Sequence, residues 1–95
     1  HDLTGFQRDI LYVTAGLETN GLAIKDELDD YYEQDINHGR LYPNLDDLVE
    51  KGLLEKGELD KRTNVYTVTQ RGQREIEARH EWENQYLESK ESVST

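Results

Sequence analysis

The 95-residue sequence predicts one mainly α-helical domain that carries a small β-hairpin, an α+β fold. Three observations lead to this prediction. Apolar residues recur at helical spacing in four segments, the spacing changes to alternation near residues 53–68, and turn residues separate the segments. A chain of this length holds one hydrophobic core. We therefore expect a single domain over residues 1–88 and a frayed polar tail at 89–95.

Two helices are expected in the first third of the chain. Thr4 is a favourable N-cap residue, and the apolar stripe that follows it consists of Phe6, Ile10, Val13 and Leu17. The Asn20-Gly21 pair has turn chemistry and is predicted to end this first helix. The apolar face of the second helix consists of Leu22, Ile24, Leu28 and either Tyr31 or Tyr32.

A third helix and a hairpin follow. Asn37 fits the cap of the third helix, whose buried side is marked by Leu41, Leu45, Leu48 and Val49. Pro43 lies early in this helix, and because a missing amide costs little in the first turn and more thereafter, the start of the helix is defined only to within a few residues. Gly52 ends the helix. Alternation at residues 65–68 after a polar turn at 60–64 predicts a β-hairpin with a basic tip.

The last predicted element is a long helix that starts at about Gln70, is capped by Thr69 and runs into the 80s. This helix is too long for so small a core to cover, and it carries an aromatic-rich patch of Trp82, Tyr86 and Leu87. We therefore expect it to pack against a second copy of the chain. The residues assigned to this dimer interface are Phe6, Ile76, Trp82, Tyr86 and Leu87.

The order helix, helix, helix, hairpin, helix is that of a winged helix-turn-helix, in which the hairpin is the wing. This architecture places its third helix in the major groove of DNA and its wing on the backbone or in the minor groove. The fold class therefore predicts double-stranded DNA as a partner.

The charge of the chain at first argues against that partner. The formal net charge is −10, and phosphates repel carboxylates. Either a basic partner or a very salty, charge-screening solvent accounts for such a balance. The charge is uneven, however: residues 18–35 carry seven carboxylates and one lysine, whereas residues 36–45 and 61–74 carry no acid and net charges of +1 and +4. These two windows fall on the third helix and the wing, which is either chance on a solvated surface or adaptation to an anion.

Several function classes are excluded or disfavoured by composition. The absence of Cys excludes disulfides, thiolate ligands and cysteine nucleophiles, and no apolar run approaches a membrane span or signal peptide. His1, His38 and His80 lack metal-ligand spacing, and no carboxylate is paired with a His or a nucleophile. We expect a cytoplasmic protein that is not an enzyme and needs no cofactor beyond bound potassium or other salt cations.

The segment 37–53 resembles the recognition-helix signature of PadR-type regulators. The matching residues are Gly39, then Tyr42-Pro43-Asn44-Leu45, then Leu48 and Gly52-Leu53. The stretches 20–24 and 67–72 are similar to the family's entry to helix two and exit from the wing. The resemblance covers about residues 5–75, and the acidic composition is similar to halophilic archaeal members. It implies a homodimeric DNA-binding transcription regulator that dimerises through its terminal helices and has a role in oxidative stress. The chain departs from longer family members by stopping soon after one C-terminal helix, which argues against a separate ligand-binding region.

The candidate DNA contacts on the third helix have different chemistry. Arg40 is placed to contact guanine O6 and N7, or else a phosphate. Asn37 fits a cap better than a base contact, and Asn44 is suited to adenine if it faces outward. Tyr42 suits either a phosphate contact or packing under the wing. Further candidates on or beside this helix are His38, Gly39 and Lys51.

The wing supplies the second group of candidates. Lys61 and Arg62 at its tip suit phosphate or the minor groove, and Thr63 and Asn64 add hydrogen-bonding groups. Arg71 and Arg74 oppose the dipole of the last helix, which favours a use such as phosphate contact. The alternative function is a winged-helix protein-interaction module whose partner is basic.

Overall fold

The computed structural model describes residues 3–60 and 63–94, with side chains as far as residue 88. It confirms the predicted fold class, because four helices surround one two-stranded antiparallel hairpin. The elements in chain order are α1 (Gly5–Leu17), α2 (Gly21–Tyr32), α3 (His38–Glu50), β1 (Leu54–Glu58), β2 (Asn64–Val68) and α4 (Gln70–Ser94).

The helix starts follow from local capping chemistry. Thr4 caps α1 in a capping box with Gln7, and Asn37 caps α3 by accepting a hydrogen bond from the Gly39 amide. The prediction for Asn20 was wrong. Its side chain starts α2 by accepting from the Ala23 amide at 2.8 Å, whereas α1 has already ended at Leu17.

The core combines apolar side chains from α1, α2, α3 and both strands, and the partly buried Ile76 of α4 packs against it. Among the described residues, three polar side chains are buried as well. The buried stripe of α1 includes Gln7 and Thr14, which are hydrogen-bonded and therefore tolerated inside. The buried stripe of α1 is therefore rotated away from the predicted one, and Leu17, which was predicted to be buried, is 44% exposed. The prediction for Leu22 on α2 was also wrong, because this side chain is 56% exposed. The buried apolar residues are Leu3, Phe6, Ile10, Leu11, Ile24, Leu28, Ile36, Leu41, Leu45, Leu48, Leu53, Leu54 and Tyr66.

The hairpin is anchored at its base to the helical part. Leu54 pairs with Val68 and Glu58 with Asn64, and the buried Tyr66 donates its amide to the Thr19 carbonyl at 2.9 Å. These bonds join β2 to the connection between α1 and α2. Thr63 and Asn64 consequently lie beside the start of α2 and Tyr42 of α3.

Helix α4 leaves the core half-way along its length. Its first half packs on α1 and β2, where the Tyr12 hydroxyl donates to the Ile76 carbonyl at 3.3 Å. The backbone stays helical to Ser94, past residue 88, where we expected a tail to begin. Within the part of the chain that the structure describes, neither α4 nor any other helix is apolar enough to cross a membrane.

Candidate nucleic-acid interface

The rotation of α3 about its own axis is fixed by a buried side chain of α1. Gln7, which is 5% exposed, donates from Nε2 to Asn44 Oδ1 at 3.0 Å and to Asp47 Oδ2 at 2.7 Å. Asn44 in turn donates from Nδ2 to the Arg40 carbonyl at 2.7 Å. Asn44 therefore faces α1 and not outward, so the condition for its predicted adenine contact is not met.

The connection that leads into α3 is fixed by a compact ion cluster. The Nζ atom of Lys25 lies 2.8 Å from Asp29 Oδ2 and 2.7 Å from Asp35 Oδ1, and Asp29 also accepts from the Ile36 amide. The hydrogen bond from Lys25 holds the pKa of Asp29 below its usual value, and the two carboxylates raise the pKa of Lys25. Lys25, the one basic residue in the acidic segment 18–35, thus stabilises the connection between α2 and α3.

The first turn of α3 carries Arg40 on the side that faces α1. Its guanidinium carbon lies 3.9 Å from the centroid of the Phe6 ring, a cation–π arrangement. Phe6 is only 7% exposed and belongs to the core, so its predicted place in a dimer interface is replaced by this role. Sequence reasoning missed the pairing because it joins residues from separate helices.

The opposite side of the same turn carries His38 and Tyr42. Their rings are stacked, with centroids 5.6 Å apart and planes inclined by 14°. The Tyr42 ring lies against Gly21 at the start of α2, where an added Cβ would meet Tyr42 Cε1 at 2.8 Å. Gly21 is therefore needed for close approach, and the Tyr42 ring packs against the start of α2, a partner other than the phosphate or the wing considered from the sequence.

A cleft between α3 and the wing brings several predicted residues together. Tyr42 lines it from α3, and Thr63 and Asn64 line it from the start of β2. Lys56 of β1 lines the cleft too, and its Nζ atom forms an ion pair with Asp46 Oδ1 of α3 at 3.8 Å. Sequence reasoning missed Lys56, although a lysine within the acidic stretch 55–60 was a signal for it.

The remaining basic candidates have varied surroundings. Lys51 ends α3 and pairs with Asp47 at 3.0 Å, and this pair, helped by Gln7, lowers the pKa of Asp47. Arg71 lies beside Gly52, and both Arg71 and Arg74 are exposed in the first turns of α4. At the wing tip the Thr63 amide donates to Asp60 at 2.9 Å, while Lys61 and Arg62 lie outside the described residues.

The second half of α4 presents an aromatic patch. Trp82 and Tyr86 meet edge to face at 4.8 Å, and the Arg79 guanidinium lies 4.3 Å from the Trp82 ring centroid. Trp82, Tyr86 and Leu87 are each about half exposed or more, whereas Ile76 packs on the chain's own core. Of the five residues predicted for the dimer interface, Trp82, Tyr86 and Leu87 form one exposed surface.

Among residues 3–60 and 63–94, no group of three or more His, Asp or Glu side chains is arranged to hold a metal ion. The arrangement instead consists of a solvent-facing helix start, a hairpin beside it and a protruding final helix.

These elements define a winged helix-turn-helix domain, with α2 and α3 as the helix pair and β1–β2 as the wing. The chain belongs to the transcriptional regulator PadR-like family, which matches residues 10–78. This confirms the resemblance seen in the sequence and identifies a transcription regulator, not an enzyme.

Solved structures similar to the chain agree with this assignment. RosR from H. salinarum is 59% identical, with a TM-score of 0.81 over 86% of this chain and 74% of that one. F93 from STIV, a winged-helix DNA-binding protein, is 25% identical, with a TM-score of 0.71 over 86% and 90% of the two chains. A PadR-like transcription factor from Bacteroides fragilis, 20% identical with a TM-score of 0.72 over 94% and 86%, is similar in fold alone. No match was found among curated proteins.

Proposed function

We propose that the chain is a homodimeric, sequence-specific regulator that binds double-stranded DNA through the start of α3 and through the wing. The observation that carries this proposal is the coincidence of charge and fold. The acid-free windows 36–45 and 61–74 form the start of α3 and the second arm of the wing with the first turn of α4, whereas the first arm of the wing carries Glu55, Glu58 and Asp60. The similarity to F93, a DNA-binding winged helix, supports the same partner.

The contacts divide between the two sides of α3. Arg40 on one side and His38 on the other are exposed and suited to base edges or phosphates, and Asn37 acts as the cap that orients the helix start. Lys61 and Arg62 are assigned to the backbone or the minor groove, with Thr63 and Asn64 beside them. Arg71, Arg74 and Lys51 are assigned to flanking phosphates.

The homodimer is assigned to the second half of α4. An exposed patch with two aromatic rings on a helix that leaves the core is typical of a surface covered by a second copy. A two-fold axis through this patch would relate two α3 helices, which would then read half-sites about 34 Å apart or a multiple of that distance.

High salt is the proposed working condition. Basic groups that neutralise phosphates release counterions, so binding normally weakens as salt rises. Carboxylates brought near the DNA instead take up cations such as potassium, which opposes that loss. We therefore expect affinity to fall weakly, or to rise, between dilute and molar potassium chloride.

A role in oxidative stress, inferred from the resemblance to haloarchaeal members, completes the proposal. The chain has no Cys and no Met, so thiol or thioether oxidation within these residues does not supply the signal. Within these residues, the signals that could regulate the protein are a bound ligand or a change in ions.

The proposal is tested by fluorescence anisotropy with duplexes that the protein selects from a random-sequence pool, in the presence of competitor DNA. Arg40→Ala should weaken selective binding at least tenfold. Gly16→Glu changes the net charge by the same amount at an open position on α1 and should have little effect. Selection of no duplex at any salt concentration would contradict the DNA-binding proposal.

The same assay distinguishes the alternative, a protein-interaction module with a basic partner. Replacing Lys61 and Arg62 with Glu should abolish DNA binding but leave a contact made by the carboxylates of α2 intact. Retention of selective DNA binding by this double variant would exclude the wing from the interface.

A further inference from the structure

The exposed face of α3 has an unusual composition for a helix that reads DNA. Leu41, Leu45 and Leu48 face the core, and the positions opposite to them are all exposed. These positions form one line along the helix and are Gly39, Pro43, Asp46 and Glu50. The line carries no hydrogen-bond donor side chain, although Arg, Lys, Asn and Gln make most specific contacts with bases.

Gly39 and Pro43 are also poor choices for the stability of a helix. Gly lowers helix stability relative to Ala, and Pro has no N–H to complete the ladder. Among the described residues, a Cβ added to Gly39 would approach one side-chain atom within 4 Å, Asn37 Oδ1 at 3.0 Å. This contact with the capping side chain is tight and is one reason for glycine at residue 39, but it involves the end of a single exposed side chain that can shift slightly. The exposure of both Gly39 and Pro43 to solvent allows an external surface to be a second reason.

The two halves of the line differ in their electrostatics. Asp46 and Glu50 occupy its second half, where they would be repelled by phosphates, although Asp46 has Lys56 3.8 Å away. Gly39 and Pro43 occupy the uncharged first half, between Arg40 on one side and His38 with Tyr42 on the other. Close contact with DNA is therefore confined to the first two turns of α3.

We propose that Gly39 and Pro43 form an apolar contact with an A·T pair on the floor of the major groove. The Pro43 ring packs on the thymine 5-methyl group, and the bare Gly39 lets the backbone approach the bases. Sequence preference at this position then comes from a methyl group, with Arg40 and His38 acting at its flanks.

This inference rests on the proposed DNA binding, and its test separates the two. A duplex selected from a random pool by the wild-type protein is remade with uracil in place of each thymine in turn, which removes one methyl group. Binding should weaken about three- to fivefold at one position in each half-site, as expected for one methyl-sized apolar contact. In Pro43→Ser the same uracil duplex and its thymine parent should bind equally.

A second pair of variants tests the close approach at Gly39. Gly16→Ala places Ala in open space on α1 and should raise the melting temperature. Gly39→Ala gains the same helix propensity but presses its Cβ against the cap atom Asn37 Oδ1 at 3.0 Å, so its melting temperature should stay close to that of the wild type. Gly39→Ala should nevertheless bind the selected duplex at least tenfold more weakly, whereas Gly16→Ala should bind normally.

The outcomes that overturn the inference are specific. Equal binding of all uracil duplexes, or a uracil penalty that persists in Pro43→Ser, excludes the methyl contact. Normal affinity of Gly39→Ala excludes the close approach. If the wild-type protein selects no duplex, the proposed DNA binding itself fails and this inference falls with it.

Discussion

The substitution Gly72→Ala tests how closely α4 is packed on the junction between α3 and the hairpin. A Cβ at this position would overlap the Leu53 carbonyl oxygen and lie 2.9 Å from Val68 Cγ1. The Leu53 carbonyl is backbone, already accepts the Thr69 amide at 3.1 Å, and has little freedom to move aside. Only glycine at residue 72 allows α4 to begin where it does.

The expected magnitude follows from two opposing effects. Forcing a methyl group into a packed junction costs about 1–3 kcal/mol, and loss of the Thr69 hydrogen bond would add about 1 kcal/mol. Gly→Ala inside a helix returns at most about 1 kcal/mol. We expect the free energy of unfolding to fall by about 2 kcal/mol, which corresponds to a melting temperature about 8–16 °C lower for a domain of this size.

The assay is urea unfolding followed by far-ultraviolet circular dichroism at one protein concentration and one salt concentration. Gly16→Ala is the matched control, because its Cβ would enter open space on α1. It should raise the free energy of unfolding by about 0.5–1 kcal/mol. A Gly72→Ala protein that is as stable as the wild type would refute the close packing of α4 on the wing base.

Three further predictions concern the interface, the pH dependence and the assembly. Gly21→Ala places a methyl group against the Tyr42 ring and should displace it, so DNA affinity measured by anisotropy should fall while the far-ultraviolet spectrum stays helical; unchanged affinity would show that the position of Tyr42 is unimportant. Burial, followed by the hydrogen bond to Asp9, raises the pKa of Tyr32 to about 12. Its stabilising contribution is therefore complete below about pH 10 and is lost as the pH rises through 12, and urea midpoints between pH 9 and 12 should fall less steeply in Tyr32→Phe. Trp82→Ala removes roughly 100 Å² of exposed ring surface, about 2–3 kcal/mol for each of the two subunits, and should raise the dimer dissociation constant by at least about a thousandfold in sedimentation equilibrium; an unchanged constant would place the dimer contact elsewhere.

The element order was predictable because its signals are local. Thr4, Asn37 and Thr69 act on amides two or three residues away, and the change from helical to alternating spacing marks the hairpin. Asn20 shows the limit of such signals. Turn chemistry marked a boundary near residue 20, which is the start of α2 and lies three residues after the end of α1 at Leu17. The same side chain fits the end of one helix or the start of the next, and only the geometry decides.

The candidate site was predictable in part. The sequence places Arg40, His38 and Tyr42 on one helix, but not the surfaces that orient them, because Phe6, Gln7 and Gly21 lie far away along the chain. Gln7 in particular is a polar residue in a buried stripe, and its burial depends on partners on α3, some 40 residues along the chain. Apolar spacing cannot reveal such long-range pairing.

The position of Trp82 determines which events the intrinsic tryptophan fluorescence of the protein can report. It is the single tryptophan of the chain, it lies on the half of α4 that has left the core, and Arg79 and Tyr86 are its ring neighbours. Its emission wavelength therefore responds to whatever covers that half of the helix and is insensitive to repacking around the buried leucines. A blue shift on raising the protein concentration at constant circular dichroism would register association directly, without an added dye.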